Sequence, residues 1–234
     1  YSVKNCQPIE MPSNCTMQGF GDKRFRNVAA PFHADPPHPP QQYNPTGLYR
    51  RTFKVPADWK NDKQIFLRFE QVASASFVWI NGQEVGYNEG AQEPSEYNIT
   101  SYLRPVENTL AVCVLKYSDG YYLEGQDYWR LAGIFDDVWI YAAPAVRIFD
   151  WQVITDFDRT YTDSERDVRV KVKDYKGTQG KGYQLKARLT RKDGSPVKEF
   201  AATPFDINAA DQIISLRTTV EKPLKWTSET PDLY

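Results

Sequence analysis

Three observations make this an all-β chain in two successive units. Short runs rich in β-branched and aromatic residues recur from residue 48 onward: "LYRRTFKV", "QIFLRFEQV", "ASFVWINGQEVGY", "NTLAVCVLKY" and "DDVWIYA". Each shows partial apolar–polar alternation, the period of a strand with one face buried. Turn-forming residues separate the runs: Pro56 to Asp58, Asn61-Asp62, Asn81-Gly82, Pro94-Ser95 and Arg104-Pro105. Helix signals are nearly absent, and "NITSYLR", with Asn98 or Thr100 as a cap, is long enough for a single turn.

Asn81-Gly82, set between "FVWI" and "QEVGY", is the strongest hairpin signal, because both central residues of a type I′ turn need positive φ. Ahead of the strands, "FHADPPHPPQQYNPTG" carries prolines 36, 37, 39, 40 and 45. Proline donates no ladder hydrogen bond, so this segment is expected to run extended over the surface. "APAV", residues 143–146, places a proline between two strand-like runs and marks a boundary. Beyond it, "IFDWQVITDF", "RDVRVKVKDY", "YQLKARLTRKDG", "PVKEFAATPF" and "QIISLRTTV" alternate at short spacing, with turns at Gly177, Gly180, Gly182 and Asp193-Gly194. That rhythm predicts a two-sheet antiparallel sandwich with Lys and Arg on a solvated face.

Composition narrows the function classes. The 234 residues are 41% hydrophobic and 25% charged, with a formal net charge of −1. No basic surface for nucleic acid is expected, and no apolar run approaches the roughly 20 residues of a membrane helix. A soluble protein, cytoplasmic or periplasmic, is the expectation. Cys6, Cys15 and Cys113 lie in no metal-binding spacing, so three thiols are expected, with a Cys6–Cys15 disulfide as the alternative. Cys113, in "LAVCVLKY", reads as a small buried hydrophobe. The chain starts "YSVKNC" without an initiator Met or a signal-peptide pattern and stops at "PDLY", and both ends read as cut.

The chemistry-bearing stretch is "YSDGYYLEGQDYWRLAGIFDDVWIY", residues 117–141. Glu124 and Asp127 are three apart, with Asp119, Asp136 and Asp137 nearby. Glycosidases need two carboxylates about 5–10 Å apart, which sequence spacing cannot establish, and loop carboxylates are more often turn caps or arginine partners. Tyr121, Tyr122, Tyr128 and Trp129 with Glu124, Gln126, Asp127 and Arg130 fit sugar binding better, an aromatic platform beside planar hydrogen-bonding groups. Against that, the aromatics can be core, and Arg130 can tie the loop down; Trp129 and Arg130 are read that way. His33 and His38 are read as solvated loop residues, since no further metal ligands accompany them. Phosphate-binding, dinucleotide, HExxH and GxSxG patterns are absent from the sequence.

The strings "NPTGLYRRTFKVP", "FVWINGQEVGYNEGAQEPSEYNIT" and "ENTLAVCVLKYSDGYYLEGQDYWRLAGIFDDVWIY", with "MPSNCTMQGFGDKRFRNVAAPF" before and "PLKWTSETPDLY" after, resemble the N-terminal region of the large bacterial β-galactosidases of glycoside hydrolase family 2. The resemblance is most specific from Asn44 to Tyr141. It implies a jelly-roll sugar-binding domain over residues 1–145, N-terminally truncated, followed by an immunoglobulin-like sandwich over 146–234, C-terminally truncated. The family's two catalytic glutamates lie in a TIM barrel outside this chain, so no residue here inherits a catalytic role.

The resemblance also implies that Asp127 contacts the bound galactoside and ligates a sodium ion, and that Asn27 and Val28 touch the galactosyl group. A carboxylate suits both tasks assigned to Asp127. Gly125 stands where some members carry a second acid. Arg130, Gly133 and Phe135 brace the loop so that Asp127 projects. The resemblance implies sodium at the parent site and magnesium in the missing barrel, with neither required by the isolated piece. The expected partners are a β-galactoside, the chain's own catalytic barrel and further copies of the parent, with neither nucleic acid nor membrane. Two other readings stand beside this one: a stand-alone carbohydrate-binding module, and the front end of a β-glucuronidase or β-mannosidase.

Overall fold

The computed structural model describes residues 4–21, 30–59, 63–124, 129–177 and 179–234. The chain divides into two compact units, Tyr1–Ala143 and Pro144–Tyr234. Strands dominate both, and among the described residues the helical pieces are three-residue turns, Thr100–Tyr102 in "NITSYLR" among them.

The first unit contains β1 (Ser13–Asn14), β2 (Thr46–Phe53), β3 (Lys63–Phe69), β4 (Val72–Ala73), β5 (Ala75–Ile80), β6 (Gln83–Asn88), β7 (Ser95–Asn98), β8 (Asn108–Leu115), β9 (Gly133–Ile134) and β10 (Val138–Pro144). They form sheets of order β2-β8-β5-β6, β10-β3-β7 and β1-β9-β4. Strand alternation builds the core: Val78 and Ile80 of β5, Val112 and Val114 of β8 and Leu67 and Phe69 of β3 pack in one cluster with Val72, Ile99 and Ile134. Burying one such side chain contributes about 1.5–3 kcal/mol. Cys113 falls on the opposite face of β8, between buried Val112 and Val114 and itself half-buried. The expectation of a core cysteine is therefore corrected by strand parity. All three cysteines are free thiols, and Cys15 instead donates its S–H to the Ala132 carbonyl at 3.1 Å.

The β5–β6 hairpin closes as expected, with Asn81 at φ 53° and Gly82 at φ 84°. Asn81 does more than tolerate that geometry. Its Nδ2 donates to Tyr102 O and Asn108 Oδ1, both at 2.8 Å, and its Oδ1 accepts from Thr109 N at 3.0 Å. One amide side chain thus joins three segments. The proline-rich segment carries no strand before β2 begins at Thr46, and Asn44 substitutes for ladder bonds that prolines cannot make. Its Nδ2 donates to Tyr117 O at 2.7 Å, and its Oδ1 accepts from Tyr117 N at 3.0 Å.

The second unit pairs β11 (Val146–Phe157), β12 (Ser164–Asp174) and β17 (Asp211–Val220) in one antiparallel sheet. The runs "YQLKARLT" and "PVKEFAATPF" each break once, into β13 (Tyr183–Leu185) and β14 (Arg188–Thr190), and into β15 (Pro196–Glu199) and β16 (Thr203–Phe205). They pair as β13–β16 and β14–β15, with a bond from Phe200 N to Ala187 O at 3.0 Å across the break. Val170, Val172, Leu185, Phe200, Ile207, Ile214 and Leu216 form this unit's own core. The charged face is more organised than a solvated surface. Asp167 accepts from Arg169 at 3.2 Å and lies 3.5 Å from Arg217.

Candidate functional site

Asn27, Val28 and Asp127, the residues assigned to sugar and sodium, lie outside the described residues, as do Gly125, Gln126 and Tyr128. What is described is the chain on either side of residues 125–128, a stem built from both directions. On the entering side Asp119 Oδ1 accepts from Gly120 N at 3.1 Å and opens a 3-10 turn over Gly120–Tyr122. Leu123 N and Glu124 N both donate to Gly120 O at 2.9 Å, so the backbone is wound tightly up to the last residue before the loop. The Glu124 side chain then reaches sideways, its Oε1 accepting from Ala91 N at 3.0 Å. It is a tether to the segment after β6, not half of a catalytic carboxylate pair.

On the returning side Arg130 closes the stem. Its Nη1 donates to Tyr121 O and to Glu124 O, each at 3.1 Å, and its guanidinium lies 4.0 Å from the centre of the Tyr121 ring. The planar guanidinium bridges two carbonyls with one nitrogen while its face stacks on the aromatic ring, a stacking geometry that a compact ammonium does not offer. Tyr121 is buried at 4% exposure, and burial raises its hydroxyl pKa while the Arg130 cation pulls it back down. Under it, the Phe32, Tyr117 and Tyr121 rings sit 4.8 to 5.5 Å apart in tilted and edge-on arrangements. Such aromatic pairs add about 0.5–1.5 kcal/mol each beyond burial.

Tyr122 ties the proline-rich segment to the same stem. Its hydroxyl donates to His38 O at 2.8 Å and accepts from Asp35 N at 3.3 Å. His38 Nδ1 lies 3.3 Å from the exposed Asp35 carboxylate. Gly133 and Phe135 anchor the chain beyond Arg130. Gly133 has φ 136°, and a Cβ there would lie 3.0 Å from Ser13 O, so only glycine fits against β1. Phe135 N donates to Gln71 O at 3.0 Å.

Two expectations about the loop divide. Arg130 does tie it down. Trp129 does not join the core; it is 58% exposed. The cause is local, because Leu131 N donates to Trp129 O at 3.0 Å, a three-residue turn that sends Trp129 outward as Arg130 turns in. Sequence reasoning missed Asn44, Tyr122, Phe32 and Ala91 as members of the stem. Only Asn44 carried a local signal, a side-chain amide directly before a proline.

The electrostatics around the stem are acidic. The Tyr87 hydroxyl donates to Glu89, whose pKa is raised, chiefly by burial and further by the Asp119 carboxylate. Asp119 is lowered in turn, first by its hydrogen bond with Glu89. Among the described residues no group of three or more His, Cys, Asp or Glu could hold a metal ion. The carbonyls of Tyr121 and Glu124 each accept a hydrogen bond from the Arg130 cation. The described part of the stem therefore offers no cation cage of its own. No helix of the described residues is long and apolar enough to cross a membrane.

Comparison with known proteins places this architecture. The sugar-binding domain of the glycosyl hydrolases family 2 matches residues 1–144, and a second domain of the same family matches residues 146–234. A β-galactosidase of Priestia megaterium is 38% identical over 100% of this chain and 23% of its own length. A β-galactosidase of Pectobacterium atrosepticum is 38% identical over 97% of this chain and 22% of its own length. The chain thus spans less than a quarter of the length of these relatives. Among solved structures, the β-glucuronidase of Bacteroides uniformis superposes with a TM-score of 0.70 at 28% identity, over 81% of this chain and 23% of that one. The chain belongs to glycosyl hydrolase family 2, carrying that family's sugar-binding jelly roll followed by its immunoglobulin-like sandwich.

Proposed function

We propose that this chain is the non-catalytic front portion of a longer, retaining β-galactosidase, and that it lends one loop to an active site built elsewhere. The observation that carries the reading is 38% identity to β-galactosidases along essentially the whole chain, which covers under a quarter of those proteins. In this reading Asp127 accepts hydrogen bonds from galactosyl hydroxyls and supplies one oxygen to a sodium ion whose other ligands lie outside this chain. Asn27 and Val28 complete the contact. The braced stem supports this assignment, because a loop that presents one carboxylate to a distant site must have its two ends held fixed. By itself the chain hydrolyses nothing.

The acidic surroundings favour galactoside over glucuronide. Glu89, Asp119 and Glu124 interact at the loop base, and a glucuronate carboxylate brought beside them would meet like charge. Hydrolysis of an aryl β-galactoside by the intact enzyme, wild type against Asp127→Ala, with and without sodium, tests the proposal. A large loss in the variant with sodium-dependent wild-type activity is expected. Near-normal activity of Asp127→Ala would overturn the loop's role, and turnover by the 234-residue chain alone would overturn its non-catalytic status.

A further inference from the structure

The outer face of the β2-β8-β5-β6 sheet has a shape that the loop function does not use. Register places Leu48, Cys113, Phe77 and Tyr87 side by side across the four strands, and Arg50, Ala111 and Trp79 in the next row. These side chains point away from the core, since Val78, Ile80, Val112 and Val114 between them are at most 2% exposed. The small residues Ala111 and Cys113 sit on β8, with larger ones on the strands to either side.

The side on β5 and β6 is aromatic. Phe77 and Trp79 are half-buried, with ring centres 6.1 Å apart and planes 25° from parallel. Tyr87 is 45% exposed and lies 4.6 Å from Phe77. Beyond Tyr87 the row ends in carboxyl groups, because its hydroxyl donates to Glu89 and the Asp119 carboxyl group lies beside Glu89. Asp119 opens the turn that leads into the loop stem. Phe77 and Trp79 offer near-parallel rings and Tyr87 a ring tilted 44° from Phe77, and these followed by carboxylate oxygens match an uncharged sugar chain: C–H faces lie on the rings and hydroxyls donate to the carboxylates. An anionic glycan would be repelled at the Glu89 end.

We propose that Trp79, Phe77 and Tyr87, with Glu89 and Asp119 at one end, form a binding strip for a neutral oligosaccharide. It is a second sugar-binding surface, separate from the Asp127 loop. The strip takes several linked sugar units, so affinity rises with chain length. It rests on the family assignment only for the choice of galactosides as probes.

The test is titration of the 234-residue chain with β-1,4-linked galactotriose and with free galactose, followed by calorimetry and by the indole N–H resonances. Millimolar binding of the trisaccharide, weaker binding of the monosaccharide and a shifted Trp79 indole signal are expected. Trp79→Ala is expected to weaken binding about tenfold or more, and Glu89→Gln severalfold. Phe77→Leu keeps apolar bulk and removes only the ring, so its loss of binding answers a folding objection to Trp79→Ala. No binding by the wild type up to about 50 mM overturns the strip, as does equal binding by wild type and Trp79→Ala. Binding abolished by Asp127→Ala alone would overturn it too, and would leave the loop reading standing. Self-association removed by Trp79→Ala, without sugar binding, would assign the face to a second copy of the chain instead.

Discussion

Replacing Arg130 by methionine isolates the clamp that holds the loop stem. Methionine keeps much of the apolar contact with Tyr121 but donates nothing to Tyr121 O or Glu124 O. The guanidinium makes two hydrogen bonds of 3.1 Å and stacks at 4.0 Å on Tyr121. Bonds involving a charged partner contribute about 1.5–3 kcal/mol when well shielded, and a cation–π contact about 0.5–2. Both bonds share one nitrogen, and thioether–aromatic contact recovers part of the stacking. The expected cost is therefore about 2–4 kcal/mol, not the full sum. At about 3 °C per kcal/mol for a unit of this size, the first unit melts roughly 10 °C lower.

The assay is thermal and urea unfolding of the 234-residue chain, with amide exchange at Leu123 and Glu124 as the local probe, since both N–H groups bond Gly120 O. Arg130→Lys keeps the charge and is expected to recover less than half of the loss. A change below about 0.5 kcal/mol in Arg130→Met, with exchange at Leu123 and Glu124 unaltered, would refute the clamp.

Three further outcomes follow from the same structure. Leu67→Ala, at a side chain 0% exposed, is expected to destabilise the first unit by about 2–5 kcal/mol. The transition of the second unit should not move, and a common shift of both in calorimetry would contradict separate cores. Asn81→Ala loses three hydrogen bonds and strains φ 53°, whereas Asn81→Gly loses only the bonds. Alanine should cost about 1 kcal/mol more than glycine by urea denaturation, and equal costs would mean that the turn conformation contributes nothing. Glu70 is held below its ordinary carboxylate range by its hydrogen bond with Arg68, which also faces Glu96 and Tyr141. A lowered acid adds stability that is present above the unfolded-state value near 4.5 and is lost as pH falls through the folded one. Stability measured below that value should fall less steeply in Glu70→Gln than in wild type, and superimposable profiles would remove Glu70 from the account.

Much of this protein was legible from local rules. Val78 and Ile80 alternate with Phe77 and Trp79 because a strand presents successive side chains to opposite faces, and the alternation was on the page before any fold. Asn81-Gly82 announced its turn because positive φ is a property of one or two residues. Five prolines kept residues 36–45 out of the sheets for an equally local reason, a missing N–H. The family resemblance, carried by motifs between Asn44 and Tyr141, was legible for the same cause: those strings are short and contiguous.

The stem was not legible, because its contacts join residues that nothing in the sequence marks as neighbours. Glu124 meets Ala91 from 33 positions away, and Tyr122 meets His38 across 84. Sequence spacing left Glu124 as one of several loop carboxylates; only the folded chain decided that it tethers a backbone N–H. Trp129 and Arg130 are adjacent, aromatic and cationic, and both were read inward. A three-residue turn sends one out and the other in, with Arg130 held by hydrogen bonds to two carbonyls and by the Tyr121 ring. Periodicity and turn chemistry thus determined which segments are strands and where they reverse. Tertiary structure alone decided which polar groups pair, because hydrogen bonding depends on atoms within about 3 Å and chain order does not encode that proximity.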